Sequence, residues 1–142
     1  MLRRAFPLLL ASLLVTSAHA EPPEGWDIAG EYLGSGEGEI SGSFERIDGD
    51  RFDVELTTIS GTCSGTLAGE MDFTLEGGTL KVANPNYEAG STTYYGSEEF
   101  CEVTMTFDED GFLNLEESSG CLAFHGAACS FDGQIVSMAA AG

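Results

Sequence analysis

Positive charge is what this sequence has least of. Five lysines and arginines stand against 24 aspartates and glutamates in 142 residues, a net charge of −19 with histidine neutral. A surface of that sign repels nucleic acid and anionic lipid, so neither is expected as a partner. Histidine is nearly as rare, with two in the whole chain, and no C-x-x-C occurs. A zinc site therefore lacks its usual ligand spacing, and no metal or cofactor is expected. There is no G-x-S-x-G, and no stretch comes near the roughly 20 apolar residues that a membrane-spanning helix needs. After residue 20 no amphipathic run at helical period appears either, which points away from helical and α/β folds.

What is present begins with an export signal. Arg3 and Arg4 precede an apolar run from Leu8 to Val15 that closes on Ala18-His19-Ala20, so residues 1–20 read as a signal peptide. The paired arginines echo a twin-arginine signal, but no polar residue precedes them, and ordinary unfolded export is the preferred reading. The expected product is periplasmic or secreted. Removing 1–20 takes away two arginines and no acid, which leaves Arg46, Arg51 and Lys81 and moves the net charge to −21. Long-range attraction at that charge favours a cationic partner or metal ions. Residues 21–138 read as a single β-domain, and 139–142 as a frayed tail.

In an oxidising compartment the even set Cys63, Cys101, Cys121 and Cys129 reads as two disulfides. Spacing alone leaves three connectivities. A hairpin turning at 108–111 would set the strands of Cys101 and Cys121 side by side, which favours that pair and leaves Cys63 for Cys129.

The chain then settles into period two. Ile28 and Tyr32 open a first strand. Ile40 and Phe44 alternate with Glu39, Ser41, Ser43 and Glu45, and the turn Ile47-Asp48-Gly49-Asp50 leads into Phe52, Val54 and Leu56 against Arg51, Asp53 and Glu55. Cys63, Leu67, Met71 and Phe73 share one parity before Gly77-Gly78, and Leu80 and Val82 make a short strand. Alternation resumes at Cys101, Val103, Met105 and Phe107, then at Leu113 and Leu115. Residues 121–133, C-L-A-F-H-G-A-A-C-S-F-D-G, read as a crosslinked closing hairpin with His125 near its tip and a last strand through Cys129, Phe131 and Ile135. The sum is an all-β fold, a small antiparallel barrel or sandwich of about eight or nine short strands stapled by disulfides.

Several motifs hint at chemistry and are better read as structure. Residues 106–117 place Asp108, Asp110, Gly111 and Glu117 at EF-hand positions, but Thr106 stands where an Asp is required and the flanks alternate like strands, so an acidic hairpin turn is expected. Gly61-Thr62-Cys63-Ser64-Gly65 has the outline of a nucleophile elbow without the strand-to-helix context one needs. His125 has no second histidine to work with, and no enzyme is expected. The informative interruption is 84–98, where alternation stops and Tyr87, Tyr94 and Tyr95 sit among Asn, Ser, Thr and Gly. Long loops in small domains tend to carry function, and this composition suits recognition. Tyr87, Ser91, Tyr94 and Tyr95 are the expected binding residues, unless the rings fold back over the core.

The 121–133 stretch also resembles the signature of a group of small exported bacterial proteins without assigned activity: Cys, two residues, an aromatic, His-Gly, two residues, Cys, one residue, Phe, one residue, Gly. Cys121, Phe124, His125, Gly126, Cys129, Phe131 and Gly133 fill those places. The resemblance implies a β-fold and no reaction. In general character the chain is similar to the periplasmic lysozyme inhibitors, which are small exported β-barrels, and Gly90-Ser91-Thr92-Thr93-Tyr94 comes near their S-G-x-x-Y motif with the order changed. The function expected is binding to a cationic envelope protein, as an inhibitor of a hydrolase such as lysozyme. The alternative is a structural or accessory envelope module without a soluble target.

Overall fold

Period-two alternation becomes one curled sheet because each strand has a single apolar face to bury. In Arg51–Ser60 the side chains of Phe52, Val54, Leu56 and Thr58 are buried while Arg51, Asp53 and Glu55 face solvent. The computed structural model describes residues 27–139. Residues 1–20, read above as a signal peptide, residues 21–26 and tail residues 140–142 lie outside the described residues.

Eight strands follow in chain order: β1 Gly30–Gly36, β2 Glu39–Asp48, β3 Arg51–Ser60, β4 Cys63–Asp72, β5 Gly78–Ala83, β6 Phe100–Phe107, β7 Leu113–Glu117 and β8 Gly133–Ser137. They form a single antiparallel sheet in the order β4-β3-β2-β1-β8-β7-β6-β5. The sheet curls until its two outer strands meet. A Cβ on Gly69 of β4 would sit 3.2 Å from Val82 and 3.3 Å from Leu80 of β5, yet no ladder joins β4 to β5. The fold is therefore a nearly closed barrel rather than a sandwich, with a seam between β4 and β5.

Aromatic rings fill the interior. Tyr32, Phe44, Phe52, Phe73 and Phe131 are buried, and Phe44 stacks on Phe73 at 4.7 Å between centroids, with Tyr32 edge-on to Phe44 at 4.8 Å. Gly49 at φ 51° turns β2 into β3 as the Asp-Gly-Asp sequence requires. The first strand starts later than its apolar pattern suggests, at Gly30 (φ 123°), and Ile28 lies before it with its carbonyl accepting the Tyr32 hydroxyl at 2.8 Å.

Direction along the strands defines two ends. One carries the 48–51, 73–77 and 108–112 connections. The other carries the 36–39 and 60–63 turns, the long 84–99 loop and the 118–132 segment. That last segment corrects the sequence reading: it is not a hairpin. Ser119–Phe124 is a 3-10 helix, and no regular strand begins until Gly133, so Cys129 and Phe131 stand outside β8. The chain leaves β7, runs past β6 to touch β4 through a single bridge between Gly65 and His125, and returns to β8. Cys63–Cys129 ties it to β4 and Cys101–Cys121 ties it to β6. The segment is a strap over that end of the barrel, spanning the side where the seam lies.

Candidate functional site

The 84–99 loop begins where a strand cannot continue. Asn84 follows β5 directly, and Pro85 has no N–H to offer a ladder. Asn84 is buried and its amide is the hub of the loop. Its Nδ2 donates to the carbonyls of Tyr95 (2.7 Å) and Glu98 (3.0 Å), and its Oδ1 accepts the N–H of Asn86 (2.9 Å). Its backbone N–H donates to Glu99 O at 2.8 Å, and its carbonyl accepts from Tyr87 N at 3.2 Å. Both limbs of the loop are thus pinned to one side chain. Farther out, Glu88 N donates to Gly96 O at 3.0 Å, and Gly96 is buried where a Cβ would meet Thr93 Oγ1 at 2.8 Å.

While these backbone groups bond inside the loop, its large side chains are exposed. Tyr87, Tyr94 and Tyr95 are 38%, 61% and 53% exposed, so the rings form surface rather than core. The loop brings Tyr94 and Tyr95 together, edge to face at 5.6 Å between centroids. Tyr87 lies on the other limb, near the Asn84 anchor. Ser91 does not project in the same way. It is half-buried, its Oγ accepts the Thr93 N–H at 3.2 Å and shares a hydrogen bond with Thr93 Oγ1 at 2.9 Å. Its hydroxyl shapes the loop tip. Glu88, Glu98 and Glu99 complete the exposed surface, and 84–99 contains no basic residue.

The strap braces the loop from one side. Gly120 packs so closely on β6 that a Cβ would fall 1.9 Å from Phe100 O, and Glu98 Cβ lies just beyond. Ser118 N donates to Glu102 O at 2.8 Å, and Ser118 Oγ accepts Glu102 N at 2.9 Å. At the far side Gly65 permits the close crossing of His125, since a Cβ there would lie 2.4 Å from His125 Cβ.

His125 is not the exposed hairpin tip that the sequence suggests. Its side chain is 1% exposed, with Nε2 at 2.9 and 3.0 Å from the two Glu117 carboxylate oxygens and Nδ1 at 2.6 Å from Gly126 O. The same carboxylate accepts Phe131 N–H at 2.8 Å, while Glu117 N donates to Asp132 at 2.7 Å. Both ring nitrogens are engaged, so neither is presented to a substrate. Glu117 and His125 lock the strap to the end of β7.

The remaining acidic features are structural. Asp108 accepts from Asp110 N, Phe112 N, Asn114 Nδ2 and Gln134 Nε2, the pattern of a side chain that builds its own turn. Among the described residues no group of three His, Cys, Asp or Glu side chains is placed to hold a metal ion. An open groove at the opposite end of the barrel runs between Asp27, Arg46, Asp50 and Leu75. There Asp27 holds the Arg46 guanidinium at 2.7 Å, and the Ala29 N–H and Arg46 together keep the Asp27 carboxyl below the ordinary carboxylate value.

The sequence pointed to the tyrosines but not to Asn84 or Glu117. An Asn-Pro at a strand end was the available signal for the first. The second carried none, because its partners arrive from 8 and 14 residues downstream. Compared with family models, with curated proteins and with solved structures, the chain matches none. Its function is therefore argued from this geometry.

Proposed function

We propose that this is an exported binding protein of the cell envelope that engages a cationic protein through the 84–99 loop, acting as an inhibitor of a cationic hydrolase such as lysozyme. The observation that carries the reading is the loop itself: three exposed tyrosines and three exposed carboxylates on a backbone fixed by one buried asparagine, with no basic side chain. Tyr offers a large amphipathic contact with little conformational freedom to lose, and a loop already ordered before contact loses less again. The net charge of the chain adds long-range attraction for a basic partner and speeds encounter. Two disulfides support an oxidising compartment. The engagement of both His125 nitrogens supports binding over catalysis.

The test is calorimetric titration of the purified protein with hen lysozyme and a panel of basic envelope proteins, at low and at high salt. The expected result is saturable binding that weakens as salt screens the charges. No binding to any of them at low salt would remove the basis of the proposal.

A further inference from the structure

The proposed reading leaves open which cationic group the loop recognises, and here the loop's own chemistry makes a choice. We infer that the Tyr94–Tyr95 pair, on a loop that also carries three exposed carboxylates, is a seat for an arginine side chain of the partner, and that it discriminates arginine from lysine. The inference rests on the proposed function and narrows it.

Three observations converge. The first is geometric. Tyr94 and Tyr95 meet at 83° between planes, so their mutual contact covers one face of one ring only, and both residues are more than half exposed, at 61% and 53%. An aromatic face attracts a cation held within about 6 Å of its centroid. The second is charge. Every basic side chain among the described residues is already paired: Arg46 with Asp27, Arg51 with Glu70 and Asp72, Lys81 with Glu102. Glu88, Glu98 and Glu99 form no ion pair with any described residue. The charge of the loop is thus uncompensated from within. The third is the chain's own usage: two of its three described basic residues lie over rings, Arg46 at 4.6 Å from the Phe52 centroid and Lys81 at 4.2 Å from that of Phe100. Phe100, at the foot of the loop, has its cation already. No basic side chain among the described residues lies over Tyr94 or Tyr95.

Arginine fits this arrangement better than lysine for a stereochemical reason. A guanidinium is planar and weakly hydrated, so it can lie on a ring while its N–H groups, pointing outward in its plane, reach carboxylates at the rim. An ammonium is a compact, strongly hydrated point charge that must give up water to do either.

The experiment titrates the full protein with hexa-arginine and hexa-lysine at one ionic strength, with hen lysozyme as a parallel arm. The expected outcome is tighter binding of hexa-arginine than of hexa-lysine by up to about 5-fold, the ceiling set by one exposed cation–π contact that a strongly hydrated ammonium makes less well. Tyr94→Ala with Tyr95→Ala should erase that preference and leave the salt dependence of both peptides. Tyr94→Phe with Tyr95→Phe should keep it, since the ring face remains. Equal affinity for the two peptides, binding of neither, or a preference that survives the alanine pair would overturn the inference. An arginine preference without lysozyme binding would instead count against the hydrolase-inhibitor reading while leaving the loop's selectivity standing.

Discussion

Two side chains set what the rest of the molecule can do, and both are polar groups placed where water is excluded. Asn84 uses donors and acceptor alike to hold the loop. Its replacement by alanine removes three part-buried hydrogen bonds, to the carbonyls of Tyr95 and Glu98 and from the N–H of Asn86, at about 0.5–1.5 kcal/mol each. Because the loop lies outside the ladders, the cost should fall there: amides of 86–98 lose hydrogen-exchange protection while those of β2 and β3 keep it. Uniform loss across the sheet would show that Asn84 supports the barrel and not the loop. Tyr32 is the other. Burial, with the nearby Asp27 charge, raises its hydroxyl well above the ordinary tyrosine value, and that hydroxyl donates to Ile28 O. The folded state therefore favours the neutral phenol. The stability this represents is complete below the unfolded value of about 10 and is lost as pH climbs beyond it toward the raised folded value. Chemical denaturation across the alkaline range should show that decline in the native protein and a shallower one in Tyr32→Phe; identical slopes would contradict the assignment.

At the scale of elements, the strands were legible and the strap was not. Phe52-Asp-Val-Glu-Leu reads as a half-buried strand from its spacing alone, since each side chain's fate depends on a period that the backbone imposes. Residues 118–132 have no period. Their path is set by partners distant in sequence: Cys63 and Cys101 through disulfides, Gly65 through a bridge, and Glu117 through hydrogen bonds. The cysteine pairing could be anticipated from the turn at 108–111 even though Cys121 then proved to lie in a 3-10 helix and not in a strand. The tyrosines were recognisable as a departure from alternation, whereas their outward direction depends on the Asn84 side-chain contacts, which span as many as 14 residues. The strap carries its own prediction. Cys63–Cys129 closes a span of 66 residues and Cys101–Cys121 one of 20. In the loop-entropy account the longer bridge contributes about 4 kcal/mol and the shorter about 3 kcal/mol. Cys63→Ser with Cys129→Ser should therefore lower the denaturation midpoint more than Cys101→Ser with Cys121→Ser; the reverse order would mean that strap packing, and not chain restriction, dominates.

The whole molecule divides its labour between surfaces. Outward rows on β2, β3 and β4 set Glu45 opposite Asp53 and Asp53 opposite Glu70, like charges whose mutual repulsion is relieved in part by Arg51 at 3.2 Å from Glu70. Such a face contributes to the field that draws a cation without providing a shaped seat for it. The proposed seat is at the strapped end, where disulfides, the buried His125–Glu117 contact and Asn84 support a loop with exposed aromatic rings. That division makes a local claim: a basic partner attracted by the entire barrel should come to rest on one loop. Amide shift mapping of the isotope-labelled protein on addition of hen lysozyme tests it most directly. The account predicts perturbations concentrated in 86–99 and the adjoining residues 118–121, with little change at the 48–51 and 108–112 turns. Perturbations spread evenly over the acidic strands, or centred on those turns, would contradict it.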